Sequence, residues 1–216
     1  ISRRRPYRHW LEQNRIELKG LFQVPGPVAI DEKTLALRQR MFDYTLEDEK
    51  MVLMPMAENA QEPVGSMGND AALAVLSKRP QLLYSYFRQL FAQVTNPPID
   101  CIREEIVTST ETTVGPEGNL LKPMPRSARQ IKLKSPILTN EEFEKLRHVD
   151  HPDFKASTFS ILYEVSSGGK ALEKKLEEIF KAASDAINKG VNILVLSDRG
   201  VDLDHAAIPA LLAVSG

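Results

Sequence analysis

The residues best suited to chemistry lie near the C-terminus, in Ser197-Asp-Arg-Gly-Val-Asp202 and at His205. Asp198 and Arg199 directly follow an apolar run, residues 191–196, that reads as a short buried strand. A carboxylate and a guanidinium just past such a strand could act on a ligand or hold one. They could equally form a structural ion pair that fixes the loop, which is the commoner use of such a pair. His205 stands near an expected helix start, with no Ser or Cys at a diagnostic spacing to make a nucleophile. His148 and His151 flank Asp150, which raises a metal site, but their spacing is not that of a helix or hairpin site and the segment reads as a surface loop. Ser166-Ser-Gly-Gly-Lys170 lacks the spacing of a phosphate loop and reads as a helix cap. Cys101 is the only cysteine, which permits neither an internal disulfide nor, by itself, a zinc or iron–sulfur site.

The elements that must position these groups are legible around them. Residues 158–165 alternate as one strand, with Phe159, Ile161, Tyr163 and Val165 on one side. Residues 171–189 form an amphipathic helix whose stripe is Leu172, Leu176, Ile179, Phe180, Ala183 and Ile187, and Gly190 ends it. Strand, helix and strand of this length make a βαβ unit with a parallel pair and a right-handed crossover. The loops 166–169 and 197–202 then lie at the C-terminal strand ends, where parallel α/β folds place ligand sites. An apolar helix, residues 208–214, follows.

The middle of the chain turns on a corner. Residues 82–94 read as an aromatic, buried helix that stops at Thr95-Asn-Pro-Pro98, because prolines donate no backbone hydrogen bond and bias the residue before them away from helix. A second buried helix restarts at Asp100, an expected N-cap, with Ile102, Ile106 and Val107 apolar. Upstream, Asp31 opens a helix carrying Leu35, Leu37, Met41 and Phe42, and Thr45-Leu-Glu-Asp48 resembles a capping box. Gly65 and Gly68 in residues 62–70 mark a turn, with an anion-binding backbone nest as the alternative. Downstream, residues 108–113 are β-prone, 115–119 form a turn, and 122–134 read as an exposed excursion without a period. Thr139 caps a short helix with Glu142 three residues on.

Length and composition set the class. The chain has 216 residues, enough for one sizeable α/β domain or two small ones. Lys+Arg 28 against Asp+Glu 29 gives a net charge of -1, which argues against a nucleic-acid or membrane-surface role for the whole. The arginines at 3, 4, 5 and 8 beside Tyr7, His9 and Trp10 read as a connecting arm rather than a phosphate patch. No apolar run approaches the length of a membrane span, and one cysteine suits a reducing, intracellular setting.

Four segments carry a resemblance. They are residues 63–70 (PVGSMGND), 86–100 (YFRQLFAQVTNPPID), 135–138 (SPIL), and 194–202 (LVLSDRGVD) with 208–213 (IPALLA). In this order and spacing they resemble the central domain of glutamate synthase, of the bacterial large-subunit type or its ferredoxin-dependent relative, over nearly the whole chain. The resemblance implies a parent oxidoreductase that converts L-glutamine and 2-oxoglutarate into two glutamates. It implies FMN and an iron–sulfur cluster in the parent and none in this chain. It also implies a partial barrel related to the FMN-binding barrel, with an α-helical N-terminal portion. Residues 1–30 are then an arm from a preceding amidotransferase domain, and residues 31–216 a central α/β domain truncated at its C-terminus. The partners are the amidotransferase and FMN-binding domains of the same polypeptide, and the setting is cytoplasmic, or plastid in a plant. The domain would join them and help to wall an ammonia passage without catalysing anything itself. Asn69, Asp70, Thr95 and Asn96 are the expected wall residues. The alternative is a free-standing α/β-barrel enzyme using Asp198, Arg199 and His205.

Overall fold

The computed structural model describes residues 3–21, 32–61, 73–87, 94 and 98–216. Its elements are α1 (Tyr7–Asn14), β1 (Ile16–Glu17), α2 (Glu32–Met41), a π-helical run Asp48–Leu53 leading into α3 (Met54–Asn59), α4 (Cys101–Val107), β2 (Thr112–Val114), β3 (Ile131–Leu133), α5 (Asn140–Arg147), β4 (Ala156–Ser160), β5 (Leu162–Glu164), α6 (Gly168–Asn188), β6 (Ile193–Ser197), β7 (His205–Ala207) and α7 (Ala210–Ser215). The result is a mixed α/β fold of short sheets, and the described residues close no barrel.

The βαβ unit forms as its sequence predicts. β4 and β6 pair in parallel, from Ala156 opposite Ile193 to Ser160 opposite Ser197. α6 joins them and ends at Gly190, whose φ of 84° suits a residue without a side chain. β6 serves two cores at once. Its alternation sends Ile193 and Val195 to one face, where they pack with Leu18, Leu21, Ile131, Leu133, Leu146 and Phe154. Leu196 packs on the other side, against Ile161, Ile179 and Ile208 beneath α6.

Residues 158–165 are not one strand. The chain changes partner at Ile161, whose N–H donates to the Ser197 carbonyl and whose carbonyl accepts from Ile208 N–H. β5 then runs antiparallel to β7, with Glu164 opposite His205. The apolar side of the alternation runs through this switch, and only Leu162, on the otherwise polar side, interrupts the pattern beside it. His205 accordingly begins a strand and not a helix. The final helix is α7, shorter than the apolar run, because Ile208 is spent on the strand crossing and lies in the core.

The excursion expected over residues 122–134 contains instead the central strand of a sheet ordered β1-β3-β2. β3 pairs with β1 in parallel and with β2 antiparallel, and Ile131 is 0% exposed. A three-residue strand with a lysine at its centre and another just after it is too short to show a period. Part of the segment read as an arm joins it: β1 lies in this sheet, and Leu18 and Leu21 lie in the first core.

The bend that ends β2 depends on Gly115, with a φ of 137°. A Cβ there would stand 2.8 Å from Cε1 of Phe154, a buried ring of the first core. Gly115→Ala is therefore expected to lower stability by about 1–2 kcal/mol, from backbone strain and displacement of the ring. A urea midpoint equal to that of the parent chain would show the turn to be tolerant.

Capping is read correctly at three helices. Asp100 accepts hydrogen bonds from Ile102 and Arg103 N–H at 3.1 and 2.9 Å. Thr139 and Glu142 exchange bonds in both directions, as do Thr45 and Asp48. Burial is read wrongly at two places. α4 is exposed along its whole length, and Tyr84, Tyr86 and Phe87, in a 3-10 turn over Leu83–Phe87, are exposed too.

Candidate functional site

The C-terminal ends of β4 and β6 carry a cluster of charge organised on one carboxylate. Thr139 starts α5 and so sets the phase that turns Glu144 towards the loop after β6. Glu144 Oε1 accepts from Arg147 Nη1 and from Arg199 Nη1, both at 2.7 Å, and Glu144 Oε2 faces His148 Nε2 at 3.2 Å. The Glu144 side chain is 16% exposed, and Arg199 lies over the Phe143 ring at 5.9 Å from its centre. Partial burial pushes the Glu144 carboxyl up, but hydrogen bonds from Arg147 and Arg199, with their charges, outweigh it and hold the group below its ordinary value. The cluster fastens the loop after β6 to α5.

The sequence-predicted residues do not converge. Arg199 is committed to Glu144, not to Asp198, and Asp198 is exposed with no side-chain hydrogen bond among the described residues. His205 Nδ1 faces Asp202 Oδ1 at 2.9 Å, and the same oxygen accepts from the backbone N–H of Asp204 and His205. The hydrogen bond from His205, then those backbone donors, hold the Asp202 carboxyl below its ordinary value. These contacts make a closed turn. His148 is spent on Glu144, and His151 packs on Phe154 and faces Asp153 at 3.5 Å. Among the described residues no group of three or more His, Cys, Asp or Glu could hold a metal ion. Asn69, Asp70, Thr95 and Asn96 lie outside the described residues, as does the glycine turn of residues 62–70.

A second cluster ties the N-terminal segment to the sheet. Glu111 receives Arg15 Nη1 at 2.8 Å and Lys132 Nζ at 2.7 Å. The Lys132 hydrogen bond, opposed by desolvation and aided by both cations, keeps its carboxyl below the ordinary value. Neither Glu111 nor Glu144 was predicted as a site residue. Apart from Arg147 and His148, their partners lie from 21 (Lys132 to Glu111) to 96 positions away, so nothing in local spacing marks them.

One cleft of about 220 Å³ lies at the end of the first sheet, lined by Leu18, Lys19, Lys134, Ile137, Leu138 and Glu142 among others. Among the described residues no helix is long and apolar enough to cross a membrane.

Residues 37–216 match the family model described as the glutamate synthase central domain. The chain is 45% identical, over its whole length, to the large chain of the NADPH glutamate synthase of Bacillus subtilis, of which it covers 14%. It is 42% identical to the NADH glutamate synthase of Schizosaccharomyces pombe, with 99% of this chain and 11% of that protein covered. It is 40% identical to the chloroplastic ferredoxin-dependent glutamate synthase of Spinacia oleracea, with 99% and 13% covered. The chain thus spans about a seventh or less of the curated relatives it matches, and it belongs to the glutamate synthase central-domain family.

Proposed function

We propose that this chain is the structural central domain of a glutamate synthase, the oxidoreductase that makes two L-glutamates from L-glutamine and 2-oxoglutarate. It joins an amidotransferase domain to an FMN-binding domain and helps to wall the passage that carries ammonia between them. The observation that carries the reading is the match of residues 37–216 to the central-domain family within relatives many times longer. Its cytoplasmic setting, or plastid setting in a plant, is part of the same proposal, as is the kinship of its βαβ unit with the FMN barrel.

In this reading the domain does no chemistry alone. Of the three strand-end candidates, Arg199 and His205 are each held in a contact that fixes a loop, and Asp198 is exposed. A single exposed thiol, Cys101, cannot ligate an iron–sulfur cluster. FMN and an iron–sulfur cluster are placed in other domains of the parent as part of the same proposal.

Ammonia must stay unprotonated to attack the 2-oxo carbon, so its passage has to exclude bulk water and offer neutral or acidic polar groups. Asn69, Asp70, Thr95 and Asn96 have that chemistry in segments punctuated by glycine or proline. In the full-length enzyme, Asn96→Leu is expected to lower the glutamine-dependent synthase rate about tenfold, equivalent to roughly 1.4 kcal/mol. Glutaminase and ammonia-fed synthase rates, measured separately, should stay near those of the parent. An unchanged coupled rate would remove Asn96 from the wall.

A further inference from the structure

We propose that the cleft at the end of the first sheet binds a short aliphatic dicarboxylate, with one carboxylate on Lys19 and the other on Lys134. Strand register brings the two lysines together. β1 and β3 run parallel, with Glu17 opposite Lys132. Lys19 and Lys134 each lie two residues past that pair, on neighbouring segments at the carboxyl ends of the strands, and both line the cleft. Alternation along β3 sends Ile131 and Leu133 into the first core and places Lys132 and Lys134 together, about 7 Å apart along the chain.

Two of the charges in the cleft are free to take a ligand. Lys132 is held by Glu111 at 2.7 Å. Glu142 is turned to its own helix start, where it accepts from the Thr139 N–H and Oγ1 at 2.9 and 3.1 Å. The amines of Lys19 and Lys134 make no hydrogen bond or ion pair among the described residues, and Lys19 acts on Glu142 only through space. Glu17, which is exposed, is the remaining carboxylate of the lining.

The rest of the lining selects the ligand. Leu18, Ile137 and Leu138 set apolar surface beside the amines. A four- or five-carbon dicarboxylate offers a carboxylate to each amine and a methylene chain to the leucines. Inorganic phosphate has no apolar part to use that surface. Glu17 and Glu142 oppose a polyanion such as a nucleoside triphosphate or a nucleic acid. A ligand of about nine heavy atoms binds such a site with a dissociation constant on the order of millimolar. Once one carboxylate is seated the second contact is intramolecular, so the dicarboxylate outbinds a monocarboxylate. This inference goes beyond the proposed function and depends neither on the ammonia passage nor on the joining of domains.

The test uses the full-length polypeptide and glutarate, which has the two carboxylates but neither the oxo group of 2-oxoglutarate nor the amino group of glutamate. Acetylation rates of individual lysines are read by mass spectrometry at constant ionic strength. Glutarate at about ten times a millimolar dissociation constant is expected to slow Lys19 and Lys134 about tenfold. Lys174, whose side chain is 81% exposed on α6, should react at an unchanged rate. Acetate at twice the concentration, and inorganic phosphate, should each slow the two cleft lysines less than about twofold. In Lys134→Gln the protection of Lys19 should fall to the acetate level, and in Lys19→Gln that of Lys134 likewise. Both lysines are exposed, so neither change removes buried surface. An absence of protection, or equal protection by acetate or phosphate, would overturn the site. So would equal protection of Lys174, or protection of one cleft lysine that survives loss of the other. Amines already unreactive without glutarate, as when another domain fills the cleft, would overturn it equally.

Discussion

Replacing Ile131 with alanine is expected to lower the unfolding free energy by about 3–4 kcal/mol, seen as a lower urea midpoint at an unchanged slope. The side chain is fully buried in the middle strand of the first sheet, opposite Ile16 on one side and Val114 on the other. Its removal leaves a cavity among Leu133, Phe154, Ile193 and Val195, residues held in place by two different strands and a loop. Such a site has little freedom to collapse. Ile131→Val removes one methylene and should cost about 1 kcal/mol, which separates a cavity effect from a general fault in the strand. If alanine cost no more than valine, β3 would not be the centre of this core.

Glu144→Ala is expected to cost about 2–3 kcal/mol near neutral pH, less than a fully buried pair because Arg199 is half exposed. The loss is dominated by Arg147, which is left largely enclosed without its carboxylate. The pH dependence gives the same contact an independent reading. The Glu144 carboxyl is held below its ordinary value of 4.5 in the folded chain, so its contribution is present above that value and is lost as pH falls through the folded one. Stability of the parent chain should therefore fall below about pH 4.5, while Glu144→Gln falls less steeply and the two curves converge. Glu111 and Glu142, whose carboxyls are also held low, leave a residual slope in the variant. Parallel curves for parent and Gln variant would show that the arginines do not depend on this carboxylate.

How the loop after β6 is fixed bears on the proposed role. A wall between two active sites needs segments that keep register without consuming or binding the intermediate. The Glu144 cluster holds the loop by a carboxylate shared between two guanidiniums, and the Asp202–His205 turn closes it on its own backbone. Polar side chains spent in this way keep their shape and have little left for chemistry.

Much of this was legible because the signals are local. Asp100, Thr139 and Thr45 cap helices through atoms two or three residues away, and the α6 stripe repeats over five turns. The parallel pairing of β4 and β6 follows from a helix of that length between two apolar runs. The family resemblance rested on contiguous motifs, and the match over residues 37–216 bears it out.

What could not be read depends on partners far along the chain. β3 is three residues long and owes its burial to β1 and β2, which approach from either side, so its own sequence reads as part of an excursion. The change of partner at Ile161 leaves Phe159, Ile161, Tyr163 and Val165 alternating as in one strand, with Leu162 the single break, so the segment reads as continuous. His205 looked like a residue near a helix, and becomes a strand residue because Glu164 lies opposite it. Arg199 looked like a mate for its neighbour Asp198, and is claimed by Glu144, 55 positions away. At α4 the sequence determined an Asp-capped helix with an apolar stripe, since those are properties of seven consecutive residues. Only the tertiary structure decided that the described residues leave that stripe bare, because burial is a property of what comes to lie beside it.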